Sequence, residues 1–101
     1  MKPGTQRKKY YVETFLNTGE PSSARIRVRP LPGQGVSIKT RVECSRQMRR
    51  AHAVGTVFRI SARITDREGG KPFLITPYTA EYEVVPREFA LDELKKPKHI
   101  T

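Results

Sequence analysis

The sequence predicts a mainly β domain: a small bent antiparallel sheet, or an oligonucleotide-binding-like (OB-like) barrel of five to six strands with one short helix. Apolar and polar residues alternate in several short runs, and a period of two is typical of strands with one buried face. Pro and Gly residues separate these runs at short intervals, as turns do. The chain of 101 residues is long enough for one compact domain and too short for two.

The first two strands are predicted at 8–16 and 24–29. The first run is rich in Tyr, Val, Thr and Phe, which favour strands. Turn-forming residues fill the loop between the two strands. In the second strand the alternation puts three aliphatic side chains on one face and three arginines on the other: Ala24, Ile26 and Val28 against Arg25, Arg27 and Arg29. Pro30 is expected to end this strand.

A third strand is predicted at 36–44, followed by a short helix near 45–53. Ser45 is suited to cap that helix, which contains neither Gly nor Pro. We expect Val36, Ile38, Thr40, Val42 and Cys44 to share one face of the strand, and Ser37, Lys39, Arg41 and Glu43 to share the other. A helix between the third and fourth strands resembles the order of elements in the five-stranded oligonucleotide-binding barrel.

The second half of the chain predicts a hairpin, a last strand and a helical turn. Residues 56–65 alternate cleanly, and the Gly-containing turn 66–70 leads into a short strand at 73–75. Flanking prolines indicate that this strand is short or at an edge of the sheet. A last strand is predicted at 81–85. Phe89, Leu91 and Leu94 are then expected to pack a helical turn onto the body.

The expected domain organisation is a flexible arm at 1–7, a single basic domain at 8–94 and a flexible basic tail at 95–101. No apolar run approaches the roughly 18 residues of a membrane span, and none follows the basic N-terminus as in a secretory signal. The one cysteine, Cys44, excludes an internal disulfide. A reducing compartment, the cytoplasm, is therefore expected.

The charge is concentrated in one part of the chain. The net charge is +10, and residues 24–63 carry ten Lys or Arg with one acid, whereas residues 64–94 carry seven acids with three Lys or Arg. Such an excess favours polyanionic partners, DNA or RNA foremost, with an acidic protein as an alternative. The acidic section could also pair with the basic one, within the domain or between copies in a homo-oligomer.

The arginines of the second strand are the most specific signal. They leave one face at a spacing of about 6.5 to 7 Å, and a guanidinium can hold two phosphate oxygens at once. We predict non-catalytic, salt-sensitive contacts to the nucleic-acid backbone with little sequence preference. The residues predicted to make them are Arg25, Arg27, Arg29, Lys39, Arg41, Arg46, Arg49, Arg50, Arg59 and Arg63.

Aromatic side chains are the second part of that prediction, because bases stack on them. The candidates are Tyr10, Tyr11, Phe15 and Tyr78, of which Tyr11 and Tyr78 are preferred. Phe58, Phe73 and Tyr82 fit the core pattern better.

Two other functions remain open. A protein-interaction module would dock a partner through an edge strand at 73–75 and the apolar side chains of 89–94. A small metal-independent ribonuclease would place His52 at the floor of a basic cleft, beside a carboxylate or a tyrosine. No recognisable catalytic motif is present, and Cys44, His52 and His99 lack the spacing of metal ligands. We expect no enzyme activity, no metal and no cofactor.

Overall fold

The computed structural model describes residues 7–17, 26–66, 69–77 and 79–96. Within these residues the chain forms six strands and two helices. In chain order they are β1 (Lys8–Leu16), β2 (Ile26–Pro30), β3 (Val42–Glu43), α1 (Arg46–Arg50), β4 (Val57–Thr65), β5 (Phe73–Ile75), β6 (Tyr82–Val85) and α2 (Arg87–Lys95).

The strands form a nearly closed barrel. β1 pairs antiparallel with β2 on one side and with β4 on the other. β4 pairs antiparallel with β5 along one half and with β6 along the other half. β3 pairs parallel with β5, which gives the order β2-β1-β4-β5-β3, and the two end strands contact each other. The predicted mainly β, OB-like fold with a helix between β3 and β4 is confirmed, although the sheet is mixed because of the parallel pair.

The barrel interior is built from alternating residues, as predicted. Phe58, Ile60 and Ala62 of β4 are almost completely buried, and Val12 of β1 and Val28 of β2 lie in the same core. The backbone pleat sends every second side chain to this side. The intervening residues of β1, β2 and β4 therefore face outward, where the basic side chains lie.

Helix α2 covers part of the outer face. Ala90 is fully buried in a cluster with Tyr11 and Val57, and Leu94 packs against that cluster. Residues four apart share one helical face. The predicted packing of Leu94 is thus confirmed, but Phe89 and Leu91, predicted to pack with it, are 45% and 37% exposed.

The third strand is much shorter than predicted. Of residues 36–44, only Val42 and Glu43 belong to β3, and Ile38 is 49% exposed instead of facing the core. A strand extends only as far as its partner offers backbone groups. That partner, β5, is three residues long and lies between Pro72 and Pro77, which lack an N–H to donate.

Helix α1 begins as predicted and ends early. The hydroxyl of Ser45 accepts a hydrogen bond from the Met48 N–H at 3.1 Å, which confirms the predicted cap. The helix ends at Arg50 rather than near 53. The carbonyl of Ala53 instead accepts bonds from the backbone and hydroxyl of Thr56, which turns the chain into β4. Neither helix of the described residues is long and apolar enough to cross a membrane.

Candidate functional site

A cleft of about 740 Å³ opens where the two end strands of the barrel, β2 and β3, face each other. We call it the seam cleft. Its walls come from the end of β1, from β2, from the turn before β3, from β3 and from α1. The lining residues are Phe15, Asn17, Arg27, Val28, Arg29, Ile38, Lys39, Thr40, Arg41, Val42, Glu43, Cys44 and Arg49.

Five basic side chains meet in the seam cleft although they come from separate parts of the chain. They are Arg27, Arg29, Lys39, Arg41 and Arg49, and all five belong to the predicted set of ten. Glu43 is the one acid among the described lining residues. Five cations against one carboxylate leave a local excess of positive charge in a concave site, which attracts and concentrates anions.

Arg29 is held in the cleft wall from two sides. Its Nε donates to Glu13 Oε2 at 2.9 Å, because the register of β1 and β2 sets these two residues opposite each other. Its guanidinium carbon lies over the Phe15 ring, 4.4 Å from the centroid. The side chain is still 42% exposed, so it is oriented and remains accessible.

Glu13 joins this arginine to helix α2. Its other oxygen accepts from Arg87 at 2.7 Å, and its side chain is only 13% exposed. Burial alone would raise the pKa of Glu13, but the hydrogen bonds from Arg29 and Arg87 outweigh burial and lower the pKa. Glu13 is therefore an ionised anchor beneath the cleft wall.

Arg41 repeats the same arrangement on the opposite wall. Its guanidinium contacts Glu43 at 3.1 Å and lies over the Phe73 ring, 4.6 Å from the centroid. With 59% of its side chain exposed, Arg41 is the more accessible of the two arginines. Phe73 itself is 4% exposed and supports Arg41 from below.

Helix α1 brings Arg49 to the seam. Its Nη1 lies 3.5 Å from the Ile26 carbonyl of β2. Cys44, in the same wall, is buried, and that burial raises the pKa of its thiol to about 11, although the charge of Arg49 acts in the opposite direction. The thiol is consequently protonated at neutral pH, and the cleft wall has no thiolate to repel an anion.

The other predicted basic residues lie elsewhere. Arg59 donates to Glu83 at 2.6 Å across β4 and β6, and this hydrogen bond raises the pKa of Arg59. Arg63 lies on β4, and Arg46 and Arg50 are exposed on α1; none of these four lines the seam cleft. The basic residues of the second and fourth strands do not form one continuous face, because β1 separates β2 from β4. Arg25 lies outside the described residues.

The aromatic residues predicted to stack on bases also lie in different places. Tyr11 is 8% exposed and packs in the cluster that α2 covers, which leaves little of its ring open to a stacked base. Tyr10 is buried inside the barrel. Phe15 lies at the seam cleft, and Tyr78 is outside the described residues. The core assignments of Phe58 and Phe73 are confirmed, and Tyr82 is half-buried against the barrel core.

His52 lies beside a tyrosine but not in the cleft. Its Nε2 is 3.2 Å from the Tyr82 hydroxyl, and its ring contacts Phe58 edge-on, with 5.2 Å between the ring centroids. It is absent from the residues that line the seam cleft. Among the described residues no three His, Cys, Asp or Glu side chains are grouped as metal ligands would be.

A second cleft, of about 700 Å³, lies beside the β4–β5 hairpin, and we call it the hairpin cleft. Its lining residues are Gly35, Val36, Ser37, Lys39, Thr40, Arg41, Ile64, Gly70, Lys71, Pro72 and Phe73. Residues 39–41 form a wall common to both clefts. Sequence reasoning missed Lys71 and the anchor Glu13, since only the strand register and the hairpin geometry show their places.

Comparison with known proteins identifies no family for this chain. No protein-family model matches the chain, and searches of curated proteins and of solved structures find no significant match. The fold and the site define a small OB-like barrel with a basic cleft at its seam.

Proposed function

We propose that this domain binds nucleic acid through the seam cleft, without catalysis and through the phosphate backbone. The observation that carries the proposal is the convergence of five basic side chains in one concave site. Arginine matches the geometry of phosphate oxygens, and lysine adds a mobile charge. Contacts of this kind give strong salt dependence and little sequence preference.

Intramolecular ion pairs support this choice of surface. Glu83 of the acidic section pairs with Arg59 of the basic half, as one of the alternatives from the sequence anticipated, and Glu13 of β1 pairs with Arg29. Lys39, in contrast, lies in an exposed turn of the cleft wall. A phosphate entering the cleft therefore meets positive charge beyond what Glu43 offsets.

The proposal is tested by fluorescence anisotropy with labelled single-stranded DNA, duplex DNA and RNA at low and near-physiological salt. One variant carries Arg27→Gln, Arg29→Gln and Arg49→Gln in the seam cleft. The control carries Arg46→Gln, Arg50→Gln and Arg63→Gln, which removes the same charge outside it. We expect the cleft variant to bind at least about tenfold more weakly than the control, because local contacts and not net charge hold the phosphates.

Folding is checked on the same samples by circular dichroism and thermal unfolding. Lys39→Gln, in an exposed turn, serves as the single variant if the triple one unfolds, and a loss of about threefold is expected from one phosphate contact. Equal losses in the cleft and control variants, or no binding by the wild type at low salt, would contradict the proposal.

Exposed apolar side chains favour protein interaction as the second candidate. Val84 is 52% exposed and Phe89 45% exposed, and β6 pairs with β4 alone among the described strands. The edge strand expected at 73–75 is wrong, however, since β5 pairs with both β3 and β4. Sedimentation equilibrium of the wild type and of Phe89→Ser tests for self-association through this surface. A monomer at all concentrations would remove that form of the second candidate.

A further inference from the structure

We infer that the bound nucleic acid is a single strand that runs from the seam cleft across residues 39–41 into the hairpin cleft, with two bases stacked on Arg29 and Arg41. The inference rests on the proposed function of the seam cleft and goes beyond it. It specifies the strandedness of the ligand, the second half of its path and the groups that receive its bases.

Two matching clusters carry the inference. In the first, the carboxylate of Glu13 holds Arg29 over the ring of Phe15. In the second, Glu43 contacts Arg41, which lies over the ring of Phe73. Each cluster thus supports a guanidinium on an aromatic ring and restrains it with a carboxylate, while 42% of Arg29 and 59% of Arg41 stay exposed.

A guanidinium supported in this way is a platform for a nucleobase. Its planar π-system stacks on bases, and its charge adds attraction to the π-face. The supporting ring limits the orientations of the side chain, so less conformational entropy is lost on binding. Phosphate binding alone would need neither ring.

The two clusters belong to one continuous path. Phe15 and Arg29 line the seam cleft, whereas Phe73 lines the hairpin cleft. Arg41 lines both clefts, as does Lys39 beside it. Lys71 is the cation of the hairpin cleft that the seam cleft does not share, and it is placed to meet a phosphate beyond Arg41.

The geometry fits a single strand better than a duplex. Bases in a duplex are stacked on one another and cannot turn their faces to a guanidinium, whereas single-stranded bases can. Proteins that read duplex DNA commonly insert a helix into the major groove. The basic helix of this domain, α1, has only five residues, which is short for that role. Here the cations and rings line concave walls instead.

The test uses oligo(dT) strands of 4 to 16 nucleotides and a duplex of the longest length, measured by anisotropy. Arg29→Lys and Arg41→Lys keep the charge and remove the planar group, and Arg46→Lys on α1 is the matched control. We expect each cleft substitution to weaken single-strand binding about fivefold to tenfold, with an unchanged salt slope, and the control to have no effect. Thermal unfolding confirms that each variant is folded.

Two further measurements distinguish base stacking, and the path of the strand, from simple attraction between charges. A 2-aminopurine base in the strand should lose fluorescence on binding to the wild type and lose less with either Arg→Lys variant. Lys71→Gln should weaken only strands long enough to reach the hairpin cleft, and leave the shortest ones unaffected.

The outcomes distinguish this inference from the proposed function. If the seam-cleft triple variant loses binding, the proposed function stands. The inference is then overturned by either of two results: equal affinity of the wild type for duplex and single strand, or unchanged affinity in Arg29→Lys and Arg41→Lys. Absence of wild-type binding to every nucleic acid would overturn both.

Discussion

Glu13 is the residue on which two parts of the molecule depend. It lies on β1, its oxygens accept bonds from Arg29 and Arg87 at 2.9 and 2.7 Å, and 13% of its side chain is exposed. It therefore orients a cleft arginine and ties the beginning of α2 to the sheet at the same time. Despite its burial, its pKa is lowered because it accepts hydrogen bonds from both arginines.

We predict that Glu13→Gln lowers the free energy of unfolding by about 1–2 kcal/mol. The amide keeps an acceptor but loses the charge, and hydrogen bonds to charged groups are worth about 1.5–3 kcal/mol. The lower part of the range applies because both arginines are partly in water. Urea denaturation at pH 7 measures the change. Glu83→Gln, which removes an exposed partner from Arg59, is the control and should cost clearly less than Glu13→Gln, because exposed ion pairs contribute little to stability.

The pH dependence of stability should change with the same substitution. A carboxyl whose pKa is lower in the folded state contributes its full stability above its ordinary value of 4.5, and loses it as the pH falls through the lowered folded value. Wild-type stability should therefore decline more steeply below about pH 4.5 than that of Glu13→Gln. Parallel curves from urea denaturation between pH 7 and pH 3 would show that Glu13 is not the anchor described.

At the scale of elements, the short helix α1 is the one whose position matters most for the cleft. It has five residues, fewer than an isolated helix needs to persist in water. Met48 is buried to 1% exposure, and the Ser45 cap satisfies the N–H of that same residue. Capping and one buried side chain thus hold the segment that carries Arg49 to the seam.

We predict that Ser45→Ala destabilises the domain by about 1 kcal/mol, the usual cost of a lost N-cap, and weakens nucleic-acid binding because Arg49 is less well placed. Thermal unfolding and anisotropy measure the two effects. Ser61→Ala on β4 is the control, since the Ser61 side chain makes no hydrogen bond to any described residue, and it should change neither. A stable Ser45→Ala variant with weakened binding would show that the hydroxyl contacts the ligand instead of capping.

For the whole molecule, the distribution of charge matters more than its total. The chain carries +10, yet Arg29, Arg59 and Arg87 are paired with Glu13 or Glu83. The strand order gathers five cations around the seam cleft. The number of cations that release counterions is consequently smaller than the formal charge indicates.

We predict a slope of about −3.5 for the logarithm of the association constant against the logarithm of salt concentration. Each phosphate contact to a single strand contributes about 0.7, and five cations line the cleft. The Arg27/Arg29/Arg49→Gln variant should reduce the slope to about −1.4, and the Arg46/Arg50/Arg63→Gln variant should leave it near about −3.5. Anisotropy titrations from about 20 to 300 mM salt measure it. Equal slopes for the two variants would mean that binding follows net charge.

The sequence by itself determined the local structure of this protein. Strand-favouring residues located β1, alternation located β4, glycines and prolines located the hairpin and the short β5, and Ser45 marked the beginning of α1. These signals are local, because backbone geometry sets the period of a strand and the chemistry of a cap within a few residues. The excess of basic residues is likewise evident from the sequence alone.

Only the tertiary structure decided which basic residues form a site. The length of β3 depended on β5, the burial of Tyr11 depended on the packing of α2, and the pairing of Glu13 with Arg29 depended on the register of β1 and β2. Arg59 had the same alternating pattern as Arg29, yet it lies outside the seam cleft beside Glu83. The reason is physical: alternation determines the face on which a side chain lies, whereas its neighbours on that face are determined by strand order and register, which are long-range contacts.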